Sequence, residues 1–191
     1  LSYAHARGVI HRDVKPANIL IGPGGCVVLA DFGLAMPASS AASAWAVSGT
    51  PEYASPEQIR GELLDAGTDI YSLGVTLYHL LEGRPPFRGG DTKEIIERVL
   101  NAPPPAMPST PVALALIVRR TMERDRRKRY ARVGELAAAL TEGGKKHGRA
   151  IYLISDEPYR RITYDGAAVP PVFASYPDSM VATSYSKELS I

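Results

Sequence analysis

The residues best suited to chemistry in this 191-residue chain lie near its start, in His11-Arg-Asp-Val-Lys-Pro-Ala-Asn-Ile-Leu20. Asp13, Lys15 and Asn18 stand at i, i+2 and i+5, with Val14, Ile19 and Leu20 as apolar anchors. Pro16 fixes its own φ and biases Lys15 away from helix, so a braced loop rather than a helix turn is expected. Such a loop aims a carboxylate, an ammonium and a carboxamide into one space. That set suits a hydroxyl, a phosphate and a divalent metal meeting there. Thirteen residues after Asn18 comes Asp31-Phe-Gly33. The apolar runs Asn18–Ile21 and Val27–Ala30 flank Gly22-Pro-Gly-Gly25, which reads as a β-hairpin. The hairpin returns Asp31 to Asn18, and two oxygen ligands at one point outline a magnesium site.

Other elements must hold that loop. Leu1–Gly8 reads as the end of a helix stopped by Gly8, followed by a Val9-Ile10 strand. Leu34–Ser48 is rich in Ala and Ser without a period and is expected to be a mobile loop, with hydroxyls at Ser39, Ser40, Ser43 and Ser48. Asp69–Glu82 is the best helix, with Ile70, Leu73, Leu77, Leu80 and Leu81 on one stripe and Gly83 closing it. Asp69 at its start reads as an N-cap. Asp91-Thr-Lys-Glu94 is an acidic version of the capping box, opening a helix with Ile95, Ile96, Val99 and Leu100. Asn101–Pro111 holds five prolines and reads as a loop. A helix from Thr110-Pro111 to Met122 turns Leu114, Ile117, Val118 and Met122 inward. Arg119–Arg132 is arginine-rich, but Glu123 and Asp125 interrupt it and no aromatic row accompanies it. A solvated helix end is expected rather than a nucleic-acid surface. Val133–Leu140 is a last short helix, and Glu142-Gly-Gly-Lys-Lys146 reads as a polar break. Beyond it, Ala150–Ser155 and Ser179–Thr183 read as buried strands.

Composition narrows the classes. Hydrophobic residues make up 45%, enough for a core, and the net charge of +2 gives no argument for nucleic acid or membrane. The single cysteine, Cys26, rules out a disulfide framework and points to a reducing, cytoplasmic compartment. No apolar run approaches ~18 residues, so no membrane span is expected. The chain begins with Leu1 and is expected to start inside a longer protein.

His11–Asn18, Asp31–Gly33 and Ser55-Pro-Glu57 resemble, in order and spacing, the H-R-D-x-K-x-x-N, D-F-G and A-P-E blocks of the protein kinases. Lysine two residues after the aspartate is the serine/threonine form, and Gly49-Thr-Pro-Glu-Tyr53 resembles the bacterial members. The resemblance covers about residues 1–141 and implies the family's large lobe, mainly helical with a small hairpin. It implies transfer of the ATP γ-phosphate to a protein Ser or Thr. Asp13 would accept the substrate hydroxyl's proton, Lys15 would neutralise charge on the transferred group, and Asn18 and Asp31 would hold Mg2+. Arg12 would pair with a phosphate on the Ala/Ser-rich segment, and Thr50 would contact Asp13 and Lys15. Asp69 would brace the catalytic-loop backbone, and an Arg129–Glu57 pair would anchor the segment. Ser55 stands where the family usually has Ala, a small-for-small change. The family's glycine-rich loop, its strand lysine and its helix glutamate are not among these residues, so weak or no activity is expected of this chain alone.

Residues 150–191, after a junction at 142–149, resemble part of the large domain of fold-type I pyridoxal-phosphate aminotransferases, class I/II. D-E-x-Y appears as Asp156–Tyr159, and S-x-S-K as Ser184–Lys187. The resemblance implies that Asp156 pairs with the pyridinium nitrogen and Tyr159 with the ring oxygen. Ser184 and Ser186 would bind the phosphate, and Lys187 would bond the cofactor covalently. The expected fold is therefore α+β, a kinase-like large lobe plus a partial α/β segment. Three readings follow: a kinase, an aminotransferase fragment, or a non-enzymatic fusion whose halves share no function.

Overall fold

The computed structural model describes residues 1–21, 27–32, 36–37, 51–146, 153–156 and 179–182. Among the described residues there are six helices. They are α1 (Ser2–Ala6), α2 (Pro56–Ile59), α3 (Ala66–Glu82), α4 (Thr92–Asn101), α5 (Val112–Thr121) and α6 (Val133–Lys146). Three two-stranded sheets accompany them. β1 (Val9–Ile10) pairs antiparallel with β4 (Met36–Pro37), and β2 (Ile19–Ile21) antiparallel with β3 (Val27–Leu29). β5 (Leu153–Asp156) pairs in parallel with β6 (Ser179–Ala182). Within the 34–48 stretch, expected to be a mobile loop, the two described residues form a strand: Ile10 pairs with Met36 and Val9 with Pro37. Among the described residues, no helix is long and apolar enough to cross a membrane.

α3 is the central element, and it begins one turn earlier than its apolar stripe suggests. The Asp65 carboxylate accepts the Gly67 N–H at 2.8 Å, so Asp65 is the N-cap and Asp69 lies inside the first turn. At the far end Gly83, at φ 73°, turns its N–H back to the His79 carbonyl. Leu80 was expected inward but is 64% exposed, and Leu73, Leu77 and Leu81 are only half-buried. The main cluster is built instead by Tyr71, Val75 and Tyr78 of α3 with Phe87, Ile95, Val99, Met107, Val118 and Met122. A helix enclosed on most sides has no reason to confine its apolar residues to one stripe.

Glycines set how closely the helices approach. A Cβ on Gly74 would lie 1.6 Å from Thr121 Oγ1, so the α3 backbone rests directly on the end of α5. A Cβ on Gly143 would come within 3.0 Å of Ile117 Cδ1. That contact explains why α6 runs through Gly143 and Gly144 to Lys146, where a polar break was expected. Helical glycine costs about 1 kcal/mol against alanine, and packing on α5 offsets it. In α4, Asp91 accepts the Glu94 N–H at 2.8 Å, while the Glu94 carboxylate reaches Gly90 N at 2.9 Å, one residue before the box the pattern suggested. Asn101 ends this helix rather than opening the loop.

Candidate functional site

The loop from His11 to Asn18 is held from below by α3. Asp69 is fully buried. Its Oδ1 accepts the Arg12 N–H at 2.8 Å, and its Oδ2 accepts the His11 N–H at 2.8 Å and His5 Nε2 at 2.7 Å. Thr76, further along α3, donates to the Val14 carbonyl at 3.3 Å. These bonds hold Arg12 at φ 72°, a left-handed backbone that costs a non-glycine residue roughly 1–2 kcal/mol. The Arg12 carbonyl in turn accepts Gln58 Nε2 at 2.8 Å. His11 is buried and shares its two ring nitrogens. Nδ1 accepts the Asp13 N–H at 3.2 Å, and Nε2 donates to the Ala30 carbonyl at 3.2 Å. Burial pushes the His11 pKa below its ordinary value against the opposing pull of Asp69, which suits a neutral ring. The ring meets Phe32 edge-on, with centroids 4.5 Å apart.

Pro16–Asn18 forms one turn of 3-10 helix, which corrects the expectation of a plain loop. Lys15 before it is extended, as a residue preceding proline should be. The turn brings three polar groups together. Lys15 Nζ lies 2.8 Å from Asp13 Oδ2, and Asn18 Nδ2 donates to the same oxygen at 2.9 Å and to the Asp13 carbonyl at 2.8 Å. No described residue bonds Asp13 Oδ1. With its amide nitrogen turned to Asp13, Asn18 has its side-chain oxygen left for another partner.

The hairpin closes this arrangement. Ile19 pairs with Leu29, and the Ala30 N–H donates to the Asn18 carbonyl at 2.7 Å. Asp31 follows at once, at φ 64°, with an exposed side chain. Asn18 and Asp31 thus offer hard oxygen donors from adjoining backbone, a set that fits Mg2+.

A second assembly lies beneath α2. Arg129 and Glu57 form a buried fork-on-fork pair, Nη1 to Oε1 at 2.6 Å and Nη2 to Oε2 at 2.9 Å. Arg129 also donates to the carbonyls of Glu123 (2.6 Å), Gly67 (2.9 Å) and Arg124 (3.3 Å), which engages all five of its N–H groups. Thr68 Oγ1 adds a bond to Glu57 Oε1 at 3.1 Å. Burial alone would raise the Glu57 pKa, but the bonds and charge of Arg129 outweigh it and hold the carboxyl below its ordinary value. So the arginine-rich stretch is not simply a solvated helix end. Arg129 is buried, and Arg126 bridges Glu62 at 2.7 Å and Asp65 at 3.3 Å.

Sequence reasoning passed over His5, Thr68, Thr76, Arg126 and Gln58 in these assemblies, and gave Ser55 no capping role. His5 reaches Asp69 from α1. Ser55 caps α2 reciprocally with Gln58: Gln58 N–H donates to Ser55 Oγ at 3.3 Å, and Ser55 N–H to Gln58 Oε1 at 3.0 Å. The Ser-x-x-Gln spacing ahead of Ile59 carries that capping signal. Thr50 and the serines from 39 to 48 lie outside the described residues, as do Tyr159, Ser184, Ser186 and Lys187. Asp156 is the last residue of β5, one position beyond the expected strand.

Comparison with known proteins bears on the same stretch. The family model of the protein kinase domain matches residues 1–140. The probable serine/threonine-protein kinase PknB of Bifidobacterium longum is 41% identical over 143 residues, 71% of this chain and 21% of that protein. Serine/threonine-protein kinase PknB of Mycobacterium leprae is 39% identical over 147 residues, 73% of this chain and 24% of that protein. Serine/threonine-protein kinases drp72 of Corynebacterium efficiens is 38% identical over 144 residues, 74% of this chain and 28% of that protein. The chain thus spans between a fifth and three tenths of the length of these relatives. With the matched stretch running from α1 into α6 and enclosing both assemblies, this chain belongs to the protein kinase domain family.

Proposed function

We propose that this chain carries the phosphotransfer side of a serine/threonine protein kinase acting on protein hydroxyls with ATP and Mg2+. The observation that carries the reading is the Asp13 carboxylate, held at Oδ2 by Lys15 and Asn18 while Oδ1 is engaged by no described residue. Oδ1 is the atom that would accept the proton of the attacking Ser or Thr hydroxyl and aim it in line. Lys15, already paired with Asp13, would lend its charge to the phosphoryl group in flight. Mg2+ would be held by the Asn18 side-chain oxygen and the Asp31 carboxylate, and it would supply charge neutralisation at the ATP phosphates. Phosphoryl transfer asks little covalent chemistry of a protein, so positioning and charge suffice. Arg12 beside Asp13 is the cation proposed to receive a phosphorylated residue of the 39–50 segment.

The test is transfer of γ-phosphate from ATP to a generic Ser/Thr substrate. Weak turnover is expected of the isolated chain. Residues 1–141 are therefore also joined behind the upstream part of the kinase domain of a curated relative. Asp13→Asn should abolish transfer by the joined protein. Transfer that survives undiminished would sink the reading.

A second reading concerns residues 150–191. It is supported by the parallel pairing of β5 with β6, which ends at Asp156 opposite Ala182. Ligands in α/β folds gather at the carboxyl ends of such strands. None of the three relatives described above is an aminotransferase. Under this reading Asp156 and Lys187 would hold pyridoxal phosphate, which would act as an electron sink. Addition of the cofactor should give a visible absorbance band that Lys187→Ala abolishes; no band ends the reading.

A further inference from the structure

We propose that Gln58 is a positioning residue for Asp13, coupling α2 to the catalytic loop through the peptide that joins Arg12 to Asp13. The proposal rests on the reading of Asp13 given above.

Three observations converge. First, Gln58 is 2% exposed and both ends of its amide are used: Oε1 accepts the Ser55 N–H at 3.0 Å, and Nε2 donates to the Arg12 carbonyl at 2.8 Å. Second, the Arg12–Asp13 peptide is held at both of its polar groups. Its carbonyl lies on Gln58 and its N–H on His11 Nδ1 at 3.2 Å. A peptide group so fixed cannot turn about its axis without breaking one bond, and turning it would swing the Asp13 carboxylate. Third, Arg12 occupies a left-handed backbone at φ 72°, which relaxes unless its neighbours hold it. Asp69 grips the Arg12 N–H from α3, and Gln58 grips its carbonyl from α2.

Glu57 and Gln58, adjacent in the chain, therefore serve opposite ends. Glu57 fixes α2 to Arg129, and Gln58 carries that fixed position to the residue before Asp13. α2 stands at the end of the segment that begins at Asp31, so a change there that moves α2 reaches Asp13 through one hydrogen bond.

Two-dimensional amide NMR with hydrogen exchange on the whole 191-residue chain tests this without relying on turnover. The variants are Gln58→Glu, which keeps the shape and the Ser55 bond but loses the donor, and Gln58→Met. Ser55→Ala serves as the control that weakens the cap and leaves the Arg12 bond. Both Gln58 variants should shift the Arg12 and Asp13 amide resonances and speed Asp13 exchange about tenfold, the worth of one lost hydrogen bond. Exchange at Val75 and Tyr78 should stay as in the parent chain. Unchanged Asp13 signals in both Gln58 variants would overturn the proposal, as would equal changes in Ser55→Ala or a rise in α3 exchange in step with the loop. The Asp13→Asn transfer assay decides the phosphotransfer reading separately.

Discussion

The His11–Asn18 loop and the Glu57–Arg129 anchor are both polar, and they are built on opposite rules. In the anchor every N–H of Arg129 has an acceptor and both carboxylate oxygens of Glu57 are bonded, with both side chains buried. In the loop Asp13 keeps one oxygen unused by any described residue, and Arg12, like Asp31 beyond the hairpin, sits in left-handed backbone. A complete network in low dielectric fixes one arrangement and has nothing left with which to react. An incomplete one, held in place by its neighbours, has an atom to offer a substrate. The difference separates the part of the molecule that holds from the part proposed to act, and it sets what each substitution should do.

The largest effect falls on the anchor. Arg129→Met leaves Glu57 as a buried, unpaired carboxylate and should cost about 3–5 kcal/mol in urea unfolding. The double variant Glu57→Leu, Arg129→Met should lose less than Arg129→Met alone, because no stranded charge remains. A single variant as stable as the parent would erase the distinction drawn here. Next comes the link between the two regions. Asp69→Asn presents one acceptor where three donors converge, and should cost roughly 1.5–3 kcal/mol by the same measurement.

Acid should sharpen the contrast. His11 and Glu57 both have folded pKa values below their ordinary ones. The unfolded chain therefore takes up protons first as the pH falls, and both groups make stability decline with acid. The His11 contribution starts to be lost below about pH 6.5, and that of Glu57 only below about pH 4.3. Thermal unfolding followed from pH 8 to 4 should show the earlier decline shrink in His11→Gln. The smallest effect on stability belongs to the acting part. The Asp13–Lys15 pair is partly exposed, so Asp13→Asn should change unfolding by less than about 1 kcal/mol while removing transfer. Equal losses of stability at Asp13 and Arg129 would show that the two regions do not differ as claimed.

What the sequence disclosed and what it hid follow the same division. Asp13, Lys15, Asn18 and Asp31 were legible because a local loop and hairpin place them, through short-range spacing and turn residues. Arg129 lies 72 positions from Glu57 and could be paired with it only by family resemblance, not by any local signal. The start of α3 was misplaced because apolar periodicity cannot register a cap, and Asp65 lies outside the stripe. Leu80 was misassigned because a helix packed on several sides gives no single inward face. The continuation of α6 through two glycines depends on a close approach to Ile117, which no propensity foretells. Ser-x-x-Gln spacing signals the cap at Gln58, but its bond to Arg12 was not legible because the acceptor is a backbone carbonyl, an atom every residue has.

The account depends on β2 and β3 bringing Asp31 to Asn18 so that one cation can touch both. The direct measurement is NMR line broadening by Mn2+ added with ADP to the chain. Resonances of Asn18 and Asp31 should broaden together at the lowest Mn2+ concentrations, and Asp31→Ala should remove the broadening at Asn18. Broadening at one of the two alone, or at Asn18 regardless of Asp31, would contradict it.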